Sequence, residues 1–160
     1  MTPTWDITVH LYPDGGRVTP DRGDGFAASA GNLESLIREA VERTLDAEGT
    51  GNAEISLTLL DDDAIQALNR EYLSKDRPTD VIALSLGEDG EVLGDVYIGA
   101  DQARRQAEEL SIDLAEEVVR LAIHGTLHVL GHDHPEEGDR SASPMYRLQE
   151  RLVDEVLGPS

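Results

Sequence analysis

No cysteine occurs in the 160 residues, so neither a disulfide nor a thiolate metal site can form, and histidine and carboxylate side chains are the only strong ligands on offer. Lysine is almost as scarce: of 13 basic residues only Lys75 is a lysine, against 33 acidic residues, and the net charge is −20. That balance repels polyanions. Because Lys and Arg neutralising phosphates supply most nucleic-acid affinity, composition by itself argues against a nucleic-acid binder, and no DNA partner is expected. A lysine-poor acidic surface also suits a protein kept soluble in concentrated salt, where charge screening is short-ranged; full stability without salt would count against that reading. No apolar run approaches the roughly 20 residues that span a bilayer. Met1 to Asp6 lack the basic-then-apolar order of a secretory signal. The expectation is a single domain over residues 1–160, in the cytoplasm, with no membrane partner.

What the chain does have is periodicity. Trp5, Ile7, Val9 and Leu11 alternate with Asp6, Thr8 and His10, the pattern of a half-buried strand with His10 on its outer side. Pro13 to Gly31, with five glycines and two prolines, reads as a connecting loop. Asn32 is placed to cap a first helix, in which Leu33, Leu36, Ile37, Ala40, Val41 and Leu45 recur at helical spacing until Gly49 and Gly51 end it. Ile55, Leu57 and Leu59 mark a second strand. Asp61 to Asp63 then open a second helix through Ile65, Leu68 and Tyr72, where acidic residues suit the N-terminal dipole. A turn at Arg77 to Asp80 precedes a short buried strand over 81–84, and a turn at Gly87 to Gly90 precedes another over 92–98. Asp101 begins a helix to Leu110. Leu114 to Leu130 is apolar enough for a central buried helix ended by Gly131, and a last helix over Met145 to Leu157 carries Met145, Leu148, Leu152, Val153 and Val156 as one stripe. The sum is an α+β fold, about four strands in a mixed sheet covered by about five helices.

Four of the five histidines fall within the eleven residues His124 to His134. His124 and His128, four apart, share a helix face and can hold one ion through two nitrogens. Gly131 stands where a left-handed cap turns the chain sharply and brings back His134. Three neutral imidazoles leave a coordination position for water, the mark of a catalytic site. The C-terminal end of the central helix is therefore the predicted metal centre, with Zn2+ the expected divalent ion and nickel, copper and iron also compatible with imidazole. His132, between the ligands, is expected to face solvent. Asp133 has three open roles: orienting a ligand, accepting a proton or capping the turn.

The spacing of His124, His128, Gly131 and His134 also fits the zinc-protease pattern H-E-x-x-H-x-x-G-x-x-H, except that Gly125 replaces the glutamate that serves as general base. Glycine has no group to take the proton. A peptidase reading survives only if Asp133 or another acid substitutes.

The run from His124 to His134 resembles the H-G-x-L-H-x-x-G-x-D-H signature of the YbeY family, bacterial endoribonucleases of ribosomal-RNA maturation. The stretch Leu68 to Val81, LNREYLSKDRPTDV, is similar to that family's L-N-x-x-Y-R-x-K-D-x-P-T-D-V, and Leu93 to Ile98 looks like its L-G-D-[IV]-x-I strand. The likeness runs over roughly residues 53 to 157. It implies a mixed sheet flanked by helices, zinc on His124, His128 and His134, and single-strand-specific endoribonuclease activity. It further implies a role in trimming the 3′ end of small-subunit ribosomal RNA and in ribosome quality control, with ribosomal RNA and the small ribosomal subunit as partners.

Two positions depart from the family pattern: Leu73 stands where it has an arginine, and Ala83-Leu84-Ser85 where it has S-F-P. A guanidinium is the natural stabiliser of a phosphate whose charge grows in the transition state. Without it, Arg77, Lys75 and Arg70 become the candidate substrate-binding cations, and Arg104, Arg105 and Arg120 could line an RNA-facing groove. The expected chemistry is metal-assisted phosphodiester hydrolysis with Asp133 or Asp95 accepting a proton. Attack by the ribose 2′-hydroxyl is an equal alternative. The rival readings are a non-catalytic, metal-stabilised ribosome-associated factor and a metallohydrolase of another substrate class.

Overall fold

The computed structural model describes residues 2–11, 30–88, 90–132 and 143–158. In chain order its elements are β1 (Trp5–His10), α1 (Ala30–Ala47), β2 (Ala53–Leu60), α2 (Asp62–Leu73), β3 (Val81–Ser85), β4 (Val92–Gly99), α3 (Ala100–Leu110), α4 (Leu114–Val129) and α5 (Pro144–Leu157). The strands form one mixed sheet in the order β1-β2-β4-β3, in which β1, β2 and β4 run parallel and β3 runs antiparallel to β4. The α+β fold read from the sequence is present.

Strand alternation decides the layering. The pairs Ile7–Ile55, Leu57–Val96 and Leu59–Ile98 stack the apolar side chains of three strands on one face, where they join α1, α3, α4 and α5 in a single core. Asp6, Thr8, His10, Glu54, Ser56, Thr58, Asp95 and Tyr97 occupy the other face, exposed or half-buried. No helix among the described residues is long and apolar enough to cross a membrane.

At the centre lies α4, against α1, α3, α5, β3 and β4. Val118, Val119, Ala122, Ile123 and Leu127 are fully buried; burial of each larger apolar side chain contributes about 1.5–3 kcal/mol. Gly125 permits the close approach of α4 to the sheet: a Cβ there would lie 2.5 Å from Val96 Cγ1 and 3.2 Å from Val81 Cγ2. The glycine that displaces the protease glutamate is thus a packing requirement, because position 125 points at the sheet.

Two boundary expectations change. Helix α1 begins at Ala30, so position 32, expected just ahead of the helix, lies within its first turn. Most of the loop read over Pro13 to Gly31 lies outside the described residues, and Ala30 and Gly31 are helical. The start of α2 is as read, with the Asp61 side chain accepting from the Ala64 N–H at 2.9 Å.

Candidate metal centre

The apolar stripe that buries α4 leaves His124 and His128 together on a flank of the helix. Their rings meet edge to face with centroids 4.6 Å apart, and their Nε2 atoms stand 3.1 Å from each other. The helix then ends in a Schellman turn: Gly131, at φ 101°, donates to the His128 carbonyl at 3.0 Å, and the His132 N–H donates to the Leu127 carbonyl at 3.0 Å. The sharp left-handed turn anticipated after the second histidine is there.

Gln149 of α5 fixes the chemical state of the first histidine. Its Oε1 lies 2.7 Å from His124 Nδ1, while its Nε2 donates to Glu150 Oε2 at 3.1 Å, which orients the amide. An amide oxygen only accepts, so the His124 proton resides on Nδ1 and Nε2 keeps its lone pair. Two imidazole nitrogens at about 2.0–2.1 Å from a tetrahedral ion would be about 3.3 Å apart. The 3.1 Å separation is close to that, and the donor pair therefore fits a divalent ion of the zinc type. Among the described residues no third His, Asp or Glu completes a ligand group; His134, the expected third ligand, and Asp133 lie outside them.

Behind Gln149 stands a charged clamp. Arg120 forks onto Glu150 at 2.8 and 3.0 Å and also donates to Glu117 at 2.9 Å and Glu116 at 3.0 Å. The Glu150 hydrogen bond raises the Arg120 pKa against the opposing effect of burial, with Glu116 and Glu117 adding to it. Burial alone would raise the Glu150 pKa, but hydrogen bonds from Arg120 and Gln149 hold it below its ordinary 4.5. Arg120, read from sequence as a lining cation for RNA, does line the cleft, yet with its charge met by three carboxylates it ties α4 to α5.

The histidine pair opens into a cleft of about 710 Å³. One wall is α4, with Leu121 and Arg120 beside the histidines; the facing wall is β3, with Val81, Ile82, Ala83 and Ser85; the turn after α2 adds Leu73, Lys75, Thr79 and Asp80. Asn69 shapes that turn: its carbonyl accepts from Lys75 N–H at 3.2 Å and its buried Nδ2 donates to the Arg77 carbonyl at 2.8 Å. Ser74 reverses the chain at φ 59°. Lys75 is thereby delivered to the cleft.

Arg70, Arg77, Arg104 and Arg105 are not. Arg70 and Arg77 are exposed outside the cleft lining, and Arg70 pairs with Asp76 at 3.1 Å. Arg105 forks onto Asp62 at 3.0 Å and Arg104 meets Asp101 at 3.6 Å, both on α3 and off the cleft. Asp95 is also misplaced by the sequence reading. Its register puts it on the sheet face opposite α4, where the Tyr97 hydroxyl donates to it at 3.2 Å; burial first, then the Asp95 charge, push the Tyr97 pKa up. His132 is held by Glu48 at 2.5 Å instead of facing solvent freely, whereas His10 is exposed as expected.

A family model described as Endoribonuclease YbeY matches residues 22–157. The chain belongs to the YbeY family. An endoribonuclease YbeY from Carboxydothermus hydrogenoformans is 48% identical over 128 residues, covering 79% of this chain and 87% of the relative. Another from Bacillus licheniformis is 38% identical over 160 residues, covering 92% and 94%. The solution structure of a Thermotoga maritima protein aligns with a TM-score of 0.60 at 28% identity, over 95% of this chain and 89% of that one. For this YbeY-family member the Leu73 departure gains a location: the side chain lines the cleft, 48% exposed. Gln149 and Asp80 were not read from sequence as site residues. Gln149 left a signal, a polar residue set among Met145, Leu148, Leu152 and Val153 on the buried stripe of α5, where it is 5% exposed. Asp80 was legible only as part of a turn.

Proposed function

We propose that this chain is a metal-dependent endoribonuclease that cleaves unpaired ribosomal RNA, with zinc held by His124, His128 and His134. The supporting observation is the pair of Nε2 atoms 3.1 Å apart on the wall of a 710 Å³ cleft, in a family whose relatives are named endoribonucleases. A divalent ion on these histidines supplies Lewis acidity, polarising a phosphate oxygen and lowering the pKa of water.

The chain's own groups do the rest. Gln149 holds the His124 tautomer, and Lys75 meets the charge of the phosphate. A water oxygen bonds to phosphorus as one of its protons passes to a carboxylate, and the bond to the 3′-oxygen breaks with that proton returned to the departing oxygen, leaving a 5′-phosphate and a 3′-hydroxyl. Two described carboxylates line the cleft. Glu117 is occupied by Arg120 and by Gln106, whose Nε2 donates to it at 2.6 Å; of the sequence-read acceptors Asp95 lies off the cleft and Asp133 lies outside the described residues, and among the described residues Asp80 is the cleft carboxylate left for that role. The step implied for a YbeY-family member is trimming of the 3′ end of small-subunit ribosomal RNA.

Incubation with precursor ribosomal RNA, with and without chelator, tests the proposal. New 5′-phosphate ends that vanish with chelator support it. Cyclic 2′,3′-phosphate ends would reject water attack in favour of the 2′-hydroxyl, and cleavage of peptides in place of RNA would reject the nuclease.

A further inference from the structure

The cleft wall facing the histidines is the outer edge of the sheet, because no described strand pairs with β3 beyond β4. The direction of its backbone groups follows from two hydrogen bonds flanking the strand. Gly99 N–H donates to the Asp80 carbonyl at 2.8 Å and Leu86 N–H donates to the Leu93 carbonyl at 2.7 Å, and both pairs lie on the register that joins Val81 to Ile98. Hydrogen-bonded pairs alternate along an antiparallel ladder. The even positions Ile82 and Leu84 therefore spend their N–H and C=O groups on β4, and the odd positions Val81, Ala83 and Ser85 turn theirs outward. These three residues line the cleft that holds His124 and His128.

We infer that the outward N–H and C=O groups of Val81, Ala83 and Ser85 read the base edges of single-stranded RNA lying in the cleft. The inference rests on the endoribonuclease reading and deepens it to a recognition mode. Each of these residues offers a donor and an acceptor side by side, matching the adjacent acceptor and donor on the Watson–Crick edge of an unpaired base. A paired base has that edge occupied, so such a wall selects single strands. The segment VIALS carries no charge and no proline, the devices that normally blunt an exposed edge.

Charge picks RNA bases over phosphates as the target of this wall. With a net charge of −20, and with Arg120 held by three carboxylates, Lys75 is the cleft cation outside any described ion pair. Phosphate neutralisation then supplies little affinity, and neutral backbone groups beside the histidines must supply more.

Ala83→Pro removes one outward N–H without touching the ladder, since proline is tolerated at an edge where its nitrogen faces away from the sheet. The variant keeps its circular dichroism and metal content, binds a mixed-sequence single-stranded RNA about tenfold more weakly, as loss of such a bond gives, and loses base preference with an unchanged salt slope. In the parent, amide hydrogen exchange at Val81, Ala83 and Ser85 slows on adding a phosphorothioate-linked oligoribonucleotide, and Ile82 and Leu84 do not change. If Ala83→Pro fails to fold, the exchange result decides alone. Parent-like RNA binding by the folded variant, or unchanged exchange at the odd positions despite RNA binding, overturns the inference, as does slowing by an alternating valine–threonine heptapeptide but not by RNA. A parent that neither binds nor cleaves RNA overturns the functional reading beneath it.

Discussion

Gln149 accepts a hydrogen bond from His124 Nδ1 at 2.7 Å, and by that bond α5 sets the tautomer of a cleft-lining histidine on α4. The amide is itself held by Glu150, and Glu150 by Arg120, so the orientation of one imidazole rests on a chain of contacts back to the helix that carries it.

Replacing the amide while keeping the volume tests that chain. Gln149→Leu leaves the fold intact and lowers zinc affinity about 10–100-fold, the usual effect of losing a partner behind a ligating histidine. Competition against a chromophoric chelator measures it, with metal-free melting as the control for folding.

Leu73 lines the cleft where the family arginine would stand, and Lys75 is its neighbour there. Leu73→Arg strengthens single-stranded RNA binding and steepens its log–log salt dependence by about 1, whereas Lys75→Ala weakens binding to all sequences and flattens that slope by about 1. Fluorescence anisotropy over a potassium chloride series reads both.

Gly125 faces Val96 across a gap with no room for a methyl group. Gly125→Ala destabilises the fold by about 1–3 kcal/mol through overpacking, measured by urea unfolding. Gly125→Glu is worse still and gains no peptidase activity, since the new side chain points at the sheet.

The clamp has a pH signature. The folded pKa of Glu150 lies below its ordinary 4.5, so its ionised form stabilises the fold above that value, and the contribution is lost as pH falls through the depressed folded pKa. Glu150→Gln lowers stability at neutral pH by about 1–3 kcal/mol and flattens the loss below pH 4.5, as denaturant melts at stepped pH would register.

Much of this was legible in the sequence because it is local. Strict alternation in β1 and β2 gave the strands and the buried face, and the four-residue spacing of His124 and His128 gave one helix face. Asp95 could have been excluded on the same ground: it alternates with Val96, which packs on α4, and so must face away. Arg120 could not. Its neutralisation comes partly from Glu150, thirty residues on, and only tertiary packing brings that carboxylate to it. Outward backbone groups on β3 likewise depend on which strand it pairs with and which side stays open, and no local pattern records either.

The central claim is that the histidine pair holds the ion that cleavage requires, and His128→Ala on precursor ribosomal RNA tests it most directly. The expected result is a folded variant that has lost its zinc and whose yield of new 5′-phosphate ends drops by about 10³-fold or more. A folded His128→Ala protein that cuts the RNA at the parent rate and at the same positions would contradict it.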